Sequence, residues 1–264
     1  MDLQLKDKIA FISGSTAGIG YAIAQRFLME GAQVIINGRT QENVDQAVND
    51  LKKSVPDSKV SGIFADFSKV KEVNNLIEKL PDVDILVNNI GIFKPKAFKD
   101  IPDEDWFKFF EVNVMSGVRL SRHVFPKMLQ KNEGRILFIS SESAVFIPDE
   151  MIHYGMTKTA MLAVSRGLAE LTKGTNVTVN TILPGPTKSR GVAGFISDLS
   201  KANNKPVEEV EKDFFKNTRP TSLLQRFVSI EEIANTVVYF ASPLSSATNG
   251  ASIRVEGGLI RSIL

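Results

Sequence analysis

The sequence has no cysteine, two histidines, one tryptophan and three tyrosines among its 264 residues. The absence of cysteine excludes disulfide bonds and thiol catalysis, and it is typical of proteins in a reducing compartment. Two separated histidines cannot supply the ligands of a histidine–cysteine zinc site. We therefore predict that the protein binds no metal.

Long hydrophobic runs and a strong charge of one sign are also missing. No stretch approaches the roughly 20 apolar residues that a membrane span needs. The opening MDLQLKDKIAFISG carries acids and too short an apolar run for a signal peptide. A net charge of +2 without a basic stripe argues against nucleic-acid binding. These features predict a soluble cytoplasmic protein with neither nucleic acid nor membrane among its partners.

Short β-branched runs alternate with segments of helical periodicity along the chain. Several runs are apolar on both alternating sets of side chains, as parallel strands covered on both faces should be. The alternation predicts one α/β domain over residues 1–264, with a doubly wound parallel sheet flanked by helices. The predicted strands are Lys8–Ser13, Ala32–Asn37, Lys59–Ala65, Val83–Asn88, Gly134–Ser140, Val177–Leu183 and Ala251–Val255.

Local signals also set several helix positions. The first helix is expected to end at Gly31 in a left-handed cap. Ser229 and Glu232 form a capping box that starts a late helix. The apolar stripe predicted for the third helix consists of Val70, Val73, Ile77 and Leu80.

One long irregular stretch, residues 188–223, is mixed in charge and has embedded apolar residues, Phe195 among them. It has two interpretations: a surface excursion with short helices of its own, or a lid over the substrate. Long insertions in compact domains are often active-site loops, so we favour the lid.

The segment ISGSTAGIGYAIA places Gly14, Gly18 and Gly20 between the first strand and the first helix. Glycines there permit a tight turn and let backbone N–H groups approach a pyrophosphate at the helix N-terminus. The spacing differs from G-x-G-x-x-G, and glycine-rich turns also serve simply to pack a strand on a helix. Its place at the first strand-to-helix crossing favours phosphate binding.

The end of the second strand bears on the choice of nucleotide. An acid usually stands there for a ribose 2′-hydroxyl, whereas a basic residue accommodates a 2′-phosphate. This chain has IINGRTQEN, with Arg39 and no acid at the turn, although a solvated loop arginine is the alternative. A guanidinium can bind a phosphate bidentately, which favours NADP(H) over NAD(H). After the third strand, Asp66 is either a contact for the adenine amino group or a helix N-cap.

Five motifs occur in one order: GSTAGIG, NNIG, SSES, YGMTK and PGPT. Together they resemble the short-chain dehydrogenase/reductase (SDR) family, over nearly the whole chain from Asp7 to Gly258. The resemblance implies a Rossmann-type NAD(P)-binding sheet of seven strands and hydride transfer between a carbonyl and a secondary alcohol. It also implies a homotetramer built on the catalytic helix and the C-terminal region, where NGASIRVEGGLIRSIL provides an apolar tail. The Y-x-x-x-K spacing in YGMTK excludes the divergent enoyl reductases, which separate the same tyrosine and lysine more widely.

The segment IHYGMTKTAM places Tyr154 and Lys158 four residues apart, on one face of a helix. A free phenol has a pKa of about 10, and a nearby ammonium would lower it by favouring the phenolate. The resemblance implies that Tyr154 is the acid/base and that Lys158 also holds the nicotinamide ribose. It implies that Ser141, thirteen residues before Tyr154, binds the substrate oxygen. Asn113 would be the fourth catalytic residue, bracing a proton relay to the lysine.

Several neighbours leave alternatives open. Ser140 and Ser143 lie close enough to Ser141 for a shift of register, and Ser143 is kept as a substrate contact. From the residues alone, Asn113 is a helix-interior asparagine satisfied by backbone. His153 is next to the tyrosine but points elsewhere on a helix, so it is a neighbour of the pocket at most.

The resemblance assigns the other cofactor contacts to segments that follow strands. NNIG would line the adenosine ribose, and PGPT would turn the chain beneath the nicotinamide. The predicted substrate contacts are Ser141, Ser143 and Tyr154. The predicted cofactor-binding residues are Gly14, Ser15, Thr16, Gly18, Ile19, Gly20, Arg39, Asp66, Phe67, Asn89, Gly91, Tyr154, Lys158, Pro184, Gly185, Thr187 and Ser189.

The predicted function is an NADP(H)-dependent oxidoreductase for a small carbonyl or alcohol, with NAD(H) as the alternative cofactor. Phe93, Val145, Phe146 and Ile147 flank the catalytic segments and favour a substrate with apolar bulk. A 3-oxoacyl-[acyl carrier protein] reductase is the second hypothesis, but the basic patch that an acidic carrier needs is weak in LAELTKGTN. A third is an inactive dinucleotide-binding scaffold or sensor, which would usually lack the tyrosine or lysine.

Overall fold

Seven runs of mainly aliphatic residues form a single sheet in the computed structural model. The structure describes residues 1–263, and the side chains of these except at positions 190, 195 and 203, so Phe195 lies outside the described side chains. The strands are β1 Ile9–Ile12, β2 Gln33–Gly38, β3 Val60–Phe64, β4 Ile85–Asn88, β5 Gly134–Ile139, β6 Val177–Pro184 and β7 Ser252–Val255. Their order is β3-β2-β1-β4-β5-β6-β7, and every neighbouring pair is parallel.

Helices cover both faces of this sheet. Apolar side chains of α1, α2 and α9 form one core with the sheet, and those of α3, α5 and α6 form another on the opposite face. A π-helical turn, Glu111–Met115, joins α4 to α5. The helices are α1 Gly18–Met29, α2 Gln41–Ser54, α3 Val70–Lys79, α4 Asp103–Phe110, α5 Ser116–Lys131, α6 Ile152–Glu170, α7 Arg190–Asn203, α8 Val207–Asn217 and α9 Ile230–Ala241. The predicted doubly wound Rossmann-type α/β fold is confirmed.

The local signals were mostly right. Gly31 follows the end of α1 with a φ of +78°, and Ser229 and Glu232 form the capping box of α9. The stripe predicted for α3 was wrong at Val70, whose side chain is 47% exposed. Val70 is the first residue of the helix, and Leu76 is buried on the face that packs on the sheet.

The strand order reverses direction between β1 and β4, which is where open α/β sheets bind ligands. The segments that follow these two strands are bonded together. The backbone N–H of Asn89 donates to the Ser13 hydroxyl at 3.0 Å, and its side-chain amide donates to the Gly14 carbonyl at 2.8 Å. The glycine loop is therefore held against the end of β4.

The 188–223 segment folds mainly as α7 and α8 around a small core of its own. Its base is closed where the Lys188 N–H donates to the Val228 carbonyl at 2.8 Å and the Val228 N–H donates to the Pro186 carbonyl at 2.9 Å. The core of this segment contains Ile196, Val210, Phe215 and Phe227.

The C-terminal tail differs from the expectation of an apolar tail free for a subunit contact. Leu259 and Ile260 are buried in their own chain. Their N–H groups both donate to the buried carboxylate of Glu256, which folds the tail back. Among the described residues of the tail, Ile263 is the large apolar side chain that stays exposed.

Within residues 1–263, no helix has the length and apolarity to cross a bilayer. The same residues contain no group of three or more histidine, aspartate or glutamate side chains arranged to hold a metal ion. Cytoplasmic location stays a prediction from the sequence.

Candidate active site

The glycine loop leaves room for a phosphate group beside α1. Gly14 and Gly18 have φ values of +61° and +58°, in the left-handed region that favours glycine. A Cβ at Gly20 would lie 2.5 Å from both the Asn89 side-chain nitrogen and the Gly14 carbonyl oxygen, so a side chain would not fit. No described side chain caps α1 at Ala17, and its first turn has no acid, so its first N–H groups can receive an anion. These residues fit a dinucleotide pyrophosphate.

Ser15, predicted to contact the cofactor, also holds the loop in place. Its hydroxyl donates to the Ile12 carbonyl at 2.6 Å and accepts from the Asn37 N–H at 2.9 Å. Its own N–H donates to the Asn37 carbonyl at 2.8 Å. The Thr16 methyl group packs on the backbone of Gly38, where a Cβ would come within 2.4 Å of it.

Arg39 and Asp66 follow β2 and β3 at the same edge of the sheet. Arg39 is exposed. The Asp66 carboxylate accepts from the N–H and hydroxyl of Ser68 at 2.9 and 2.8 Å, so it closes a turn and does not cap α3. Burial would raise the pKa of Asp66, but the Ser68 bonds and the Lys69 and Arg39 charges hold it below its usual value. The Phe67 side chain is buried in the core, so its backbone is the part that could contact a cofactor.

A cavity of about 680 Å³ opens at the carboxyl ends of the central strands. It contains the predicted catalytic Ser141, Tyr154 and Lys158. The other predicted site residues that line it are Ile19, Asn89, Gly91, Ser143, Pro184, Gly185, Thr187 and Ser189. Eight predicted residues are not among its lining residues; they lie in the segments that follow β1, β2 and β3, including the first turn of α1: Gly14, Ser15, Thr16, Gly18, Gly20, Arg39, Asp66 and Phe67.

Tyr154 and Lys158 stand on the first turns of α6. The Lys158 ammonium lies 5.6 Å from the centre of the tyrosine ring and donates to the Ile139 carbonyl at 3.0 Å. Burial lowers the pKa of Lys158 to about 8, against the effect of the Glu142 carboxylate. Burial and Glu142 raise the pKa of Tyr154, and a hydrogen bond with Ser141 acts the other way. The expected lowering of the phenol pKa is thus outweighed by desolvation and a neighbouring negative charge.

The three serines after β5 have different partners. The Ser140 hydroxyl donates to the backbone carbonyl of Lys158 at 2.9 Å, which holds β5 against α6. The Ser141 hydroxyl donates to the carboxylate of Glu142 and accepts from the Ser143 N–H at 3.1 Å. Since Ser140 is committed to the backbone, the register of the predicted site falls on Ser141.

The Asn113 side chain is buried in the π-helical turn and forms hydrogen bonds with two other segments of the chain. Its side-chain oxygen accepts from the Ile92 N–H at 2.7 Å, and its nitrogen donates to the Ile92 carbonyl at 3.0 Å. The same nitrogen donates to the Thr157 hydroxyl at 2.9 Å, next to Lys158. The amide is therefore satisfied largely by backbone, and it ties the loop after β4 to α6.

His153 faces away from the cavity, as its position beside Tyr154 predicts. Its ring lies 4.1 Å from that of Phe109 and 5.9 Å from that of Trp106, measured between centroids. Burial lowers its pKa. It is a packing residue between α4 and α6.

The sequence interpretation missed three charged residues at this cavity: Glu142, Glu150 and Arg219. The carboxylate directly after Ser141 was the available signal for Glu142. Arg219 follows α8, and its Nε lies 3.7 Å from Glu142 while its Nη2 lies 3.4 Å from Glu150. Its position depends on how the 188–223 segment folds back, which no local pattern indicates.

The apolar wall of the cavity also differs from the expectation. Phe93 lines it and meets the Tyr154 ring edge-on, with centroids 6.2 Å apart. The run from Val145 to Ile147 is instead exposed and is not among the lining residues. The 188–223 segment and a residue just beyond it supply a large part of this wall: Val192, Ile196, Leu199, Phe214 and Phe227.

Comparisons with known proteins agree with this geometry. Residues 14–260 match a family model described as enoyl-(acyl carrier protein) reductase. The chain is 54% identical to the uncharacterized oxidoreductase YvrD of Bacillus subtilis, with 100% of both chains covered. It is 34% identical to dehydrogenase/reductase SDR family member 4 of Caenorhabditis elegans, over 97% of this chain and 96% of that protein.

A solved structure shares the fold throughout. L-sorbose reductase from Gluconobacter frateurii, complexed with NADPH and L-sorbose, superposes with a TM-score of 0.93 at 29% identity, with 100% of both chains covered. The chain therefore belongs to the short-chain dehydrogenase/reductase family and is an oxidoreductase.

Proposed function

We propose that the protein is an NADP(H)-dependent reductase that interconverts a ketone and a secondary alcohol, with Tyr154 as the acid/base. The observation that carries this proposal is the convergence of Ser141, Tyr154 and Lys158 on one cavity whose other end meets the glycine loop. A reacting carbonyl placed there would lie within reach of a proton donor and of the nicotinamide end of a dinucleotide.

The reaction needs a hydride and a proton. When bound, the reduced nicotinamide supplies the hydride to the carbonyl carbon. The Tyr154 phenol donates its proton to the carbonyl oxygen, which gives the alcohol, and then regains a proton from solvent. Because burial and Glu142 raise the pKa of Tyr154, the phenol is protonated at neutral pH and suited to reduction. The Ser141 hydroxyl would turn from Glu142 to the substrate oxygen and stabilise its developing charge.

Lys158 supports the proton transfer electrostatically. Its ammonium is mostly charged at neutral pH and stabilises the phenolate that forms. A Cβ at Gly91 would lie 3.2 Å from the Lys158 ammonium, so the glycine keeps this group open to the ribose of a cofactor. Asn113 would hold Thr157, and with it the start of α6, in register with the loop after β4.

The choice of NADP(H) over NAD(H) rests on Arg39. It is exposed just after β2, where an acid for the ribose 2′-hydroxyl is missing. Its positive charge helps to lower the pKa of Asp66, so the two side chains lie near one another at the adenosine end. The solved relative that holds NADPH supports the same choice.

We propose that the 188–223 segment acts as the substrate lid, because it forms much of the apolar wall facing Tyr154. A carrier protein is a weaker candidate for the substrate. Near the end of α6, Arg166 pairs with Glu170, which reduces the positive charge available to an acidic partner.

The decisive experiment replaces Tyr154 with Phe and measures NADPH oxidation with a panel of ketones. Turnover should fall by at least about a hundredfold, since general acid catalysis of this kind contributes about 10²–10⁴. NADPH binding, followed by its fluorescence, should stay within about threefold. The matched control is Tyr239→Phe on α9, which should keep full activity. If Tyr154→Phe transferred hydride at the wild-type rate, the proposed acid/base role would be wrong.

A further inference from the structure

Two oppositely charged side chains stand beside Ser141, and neither transfers a proton or hydride in the reaction proposed above. Glu142 and Arg219 are 5% and 7% exposed, and both line the cavity. The Glu142 carboxylate accepts a hydrogen bond from the Ser141 hydroxyl, so it lies next to the position proposed for the substrate oxygen. Buried charges are costly to desolvate and are rarely kept without full pairing.

The pairing between them is incomplete. Arg219 Nε and Glu142 Oε1 are 3.7 Å apart, longer than a hydrogen bond. Arg219 Nε has no hydrogen-bond partner among the described residues, although it is buried. One hydroxyl group can accept from the guanidinium and donate to the carboxylate at once, with both bonds about 2.8 Å long, once the two side chains separate slightly on substrate binding.

We propose that Glu142 and Arg219 form a hydroxyl-binding subsite beside the reacting carbon, which selects neutral α-hydroxy ketones over plain ketones and 2-keto acids. This inference rests on the proposed carbonyl reduction. The substrate carbonyl meets Ser141 and Tyr154, and the hydroxyl on the adjacent carbon bridges Glu142 and Arg219. The rest of the substrate lies against the apolar wall.

The charges around the subsite oppose an anionic substrate. The Arg219 guanidinium faces two carboxylates: that of Glu142, and that of Glu150, which lies 3.4 Å from its Nη2. It is also fixed over the ring of Phe214, with its central carbon 6.0 Å from the ring centroid. A substrate carboxylate would meet Glu142 at close range, and like charges in a buried site repel strongly.

Three ketones of matched shape test the selection. Acetophenone, 2-hydroxyacetophenone and benzoylformate share the phenyl ketone and differ in a methyl, a hydroxymethyl or a carboxylate group beside the carbonyl. The wild-type protein with NADPH should show the highest kcat/KM for 2-hydroxyacetophenone and the lowest for benzoylformate.

Two variants remove the subsite, Glu142→Leu and Arg219→Met. Each should lower the kcat/KM ratio of 2-hydroxyacetophenone to acetophenone by at least about tenfold, since a site that bonds a hydroxyl discriminates strongly. Differences in the intrinsic reactivity of the ketones cancel, because the same ratio is compared between the variants and the wild-type protein. Glu142→Leu should also raise the benzoylformate-to-acetophenone ratio. The matched control is Arg226→Met, whose exposed arginine pairs with Glu232 outside the cavity, and it should leave both ratios unchanged.

The outcomes separate the two proposals. Wild-type turnover of the ketones, with ratios unchanged in both variants, would overturn the subsite and leave the reductase standing. NADPH binding without turnover of any ketone would overturn both. If thermal melting shows that Glu142→Leu does not fold, Arg219→Met alone tests the subsite, because Arg219 lies near the end of the 188–223 segment. NADPH affinity, measured by fluorescence, should be unchanged in every folded variant.

Discussion

The proton held by Tyr154 depends on the balance of charges within one cavity. Burial and the Glu142 carboxylate both favour the neutral phenol, and Ser141 partly offsets them. The same burial disfavours the charged form of Lys158 and lowers its pKa to about 8. In this arrangement the tyrosine keeps its proton over the whole physiological range, and the lysine is the group that titrates near it.

We therefore expect the upper limb of the pH–rate profile for ketone reduction to follow Lys158. The ammonium is present below its pKa of about 8 and is lost above it, so kcat/KM should fall there by about tenfold per pH unit. Glu142→Gln should move this limb to lower pH, because the carboxylate raises the lysine pKa. The measurement is NADPH oxidation from pH 6 to about 10. A profile that stayed flat to the upper end would contradict the assignment.

At the adenosine end, Arg39→Gln should separate the two nicotinamide cofactors. Loss of a charge-assisted contact with the 2′-phosphate should lower kcat/KM for NADPH by about ten- to a hundredfold. Activity with NADH should change by less than about twofold, because NADH has no phosphate there. The matched control, Arg26→Gln, removes an arginine that pairs with Glu30 near the other end of α1. Equal losses with both cofactors would exclude a phosphate contact.

At the scale of elements, the sequence predicted the strands well because the central ones are buried on both faces. β5 and β6 are buried at every position, so most of their side chains are apolar on both alternating sets. The buried face of a helix was predicted less accurately at the helix ends. Val70 has the right spacing for the α3 stripe, but the first turn of a helix lies beyond the surface that it packs on.

The start of α1 is the element on which cofactor binding depends most directly. Ala17 is exposed and extended at the N-cap, with φ of −159° and ψ of 169°, a conformation that an aspartate can adopt. An aspartate there would cap the first N–H groups and place a negative charge where we expect the pyrophosphate to bind. Ala17→Asp should raise the free energy of unfolding by about 1 kcal/mol. It should also weaken NADPH binding by more than about tenfold.

Ala17→Ser is the control for this change. A serine caps the same N–H groups without a charge, so it should give a similar gain in stability and a smaller loss of affinity. Chemical denaturation and NADPH fluorescence titration measure the two effects. Undiminished NADPH binding by Ala17→Asp would show that the pyrophosphate does not bind at this helix.

At the scale of the whole molecule, the cavity combines residues that are far apart in the chain. The tyrosine and lysine could be predicted because they lie four residues apart on one helix, and Ser141 because it precedes Tyr154 by the thirteen residues typical of the family. Arg219 could not, since its neighbours Glu142 and Glu150 lie about seventy residues away, across a segment with its own small core. Tertiary placement decides the substrate end of the site, whereas local patterns decide the cofactor end.

The chain also leaves apolar side chains exposed near its C-terminal region. Tyr239, Leu244 and Ile263 are 39%, 42% and 98% exposed. We expect a homotetramer, with these side chains covered by a second copy. Subunit interfaces that persist in solution bury about 1,600 Å² in total, with an apolar centre.

Sedimentation equilibrium at micromolar concentration tests this expectation, and Leu244→Glu tests the surface. The Leu244 side chain is exposed while its N–H is held by the Ser242 hydroxyl, so the substitution should leave the fold intact. A carboxylate buried between two copies is costly, so this variant should dissociate to smaller species. Met29→Glu, at a similarly exposed position on α1, is the matched control and should remain tetrameric. A wild-type monomer would exclude the assembly, and a tetrameric Leu244→Glu variant would place the interface elsewhere.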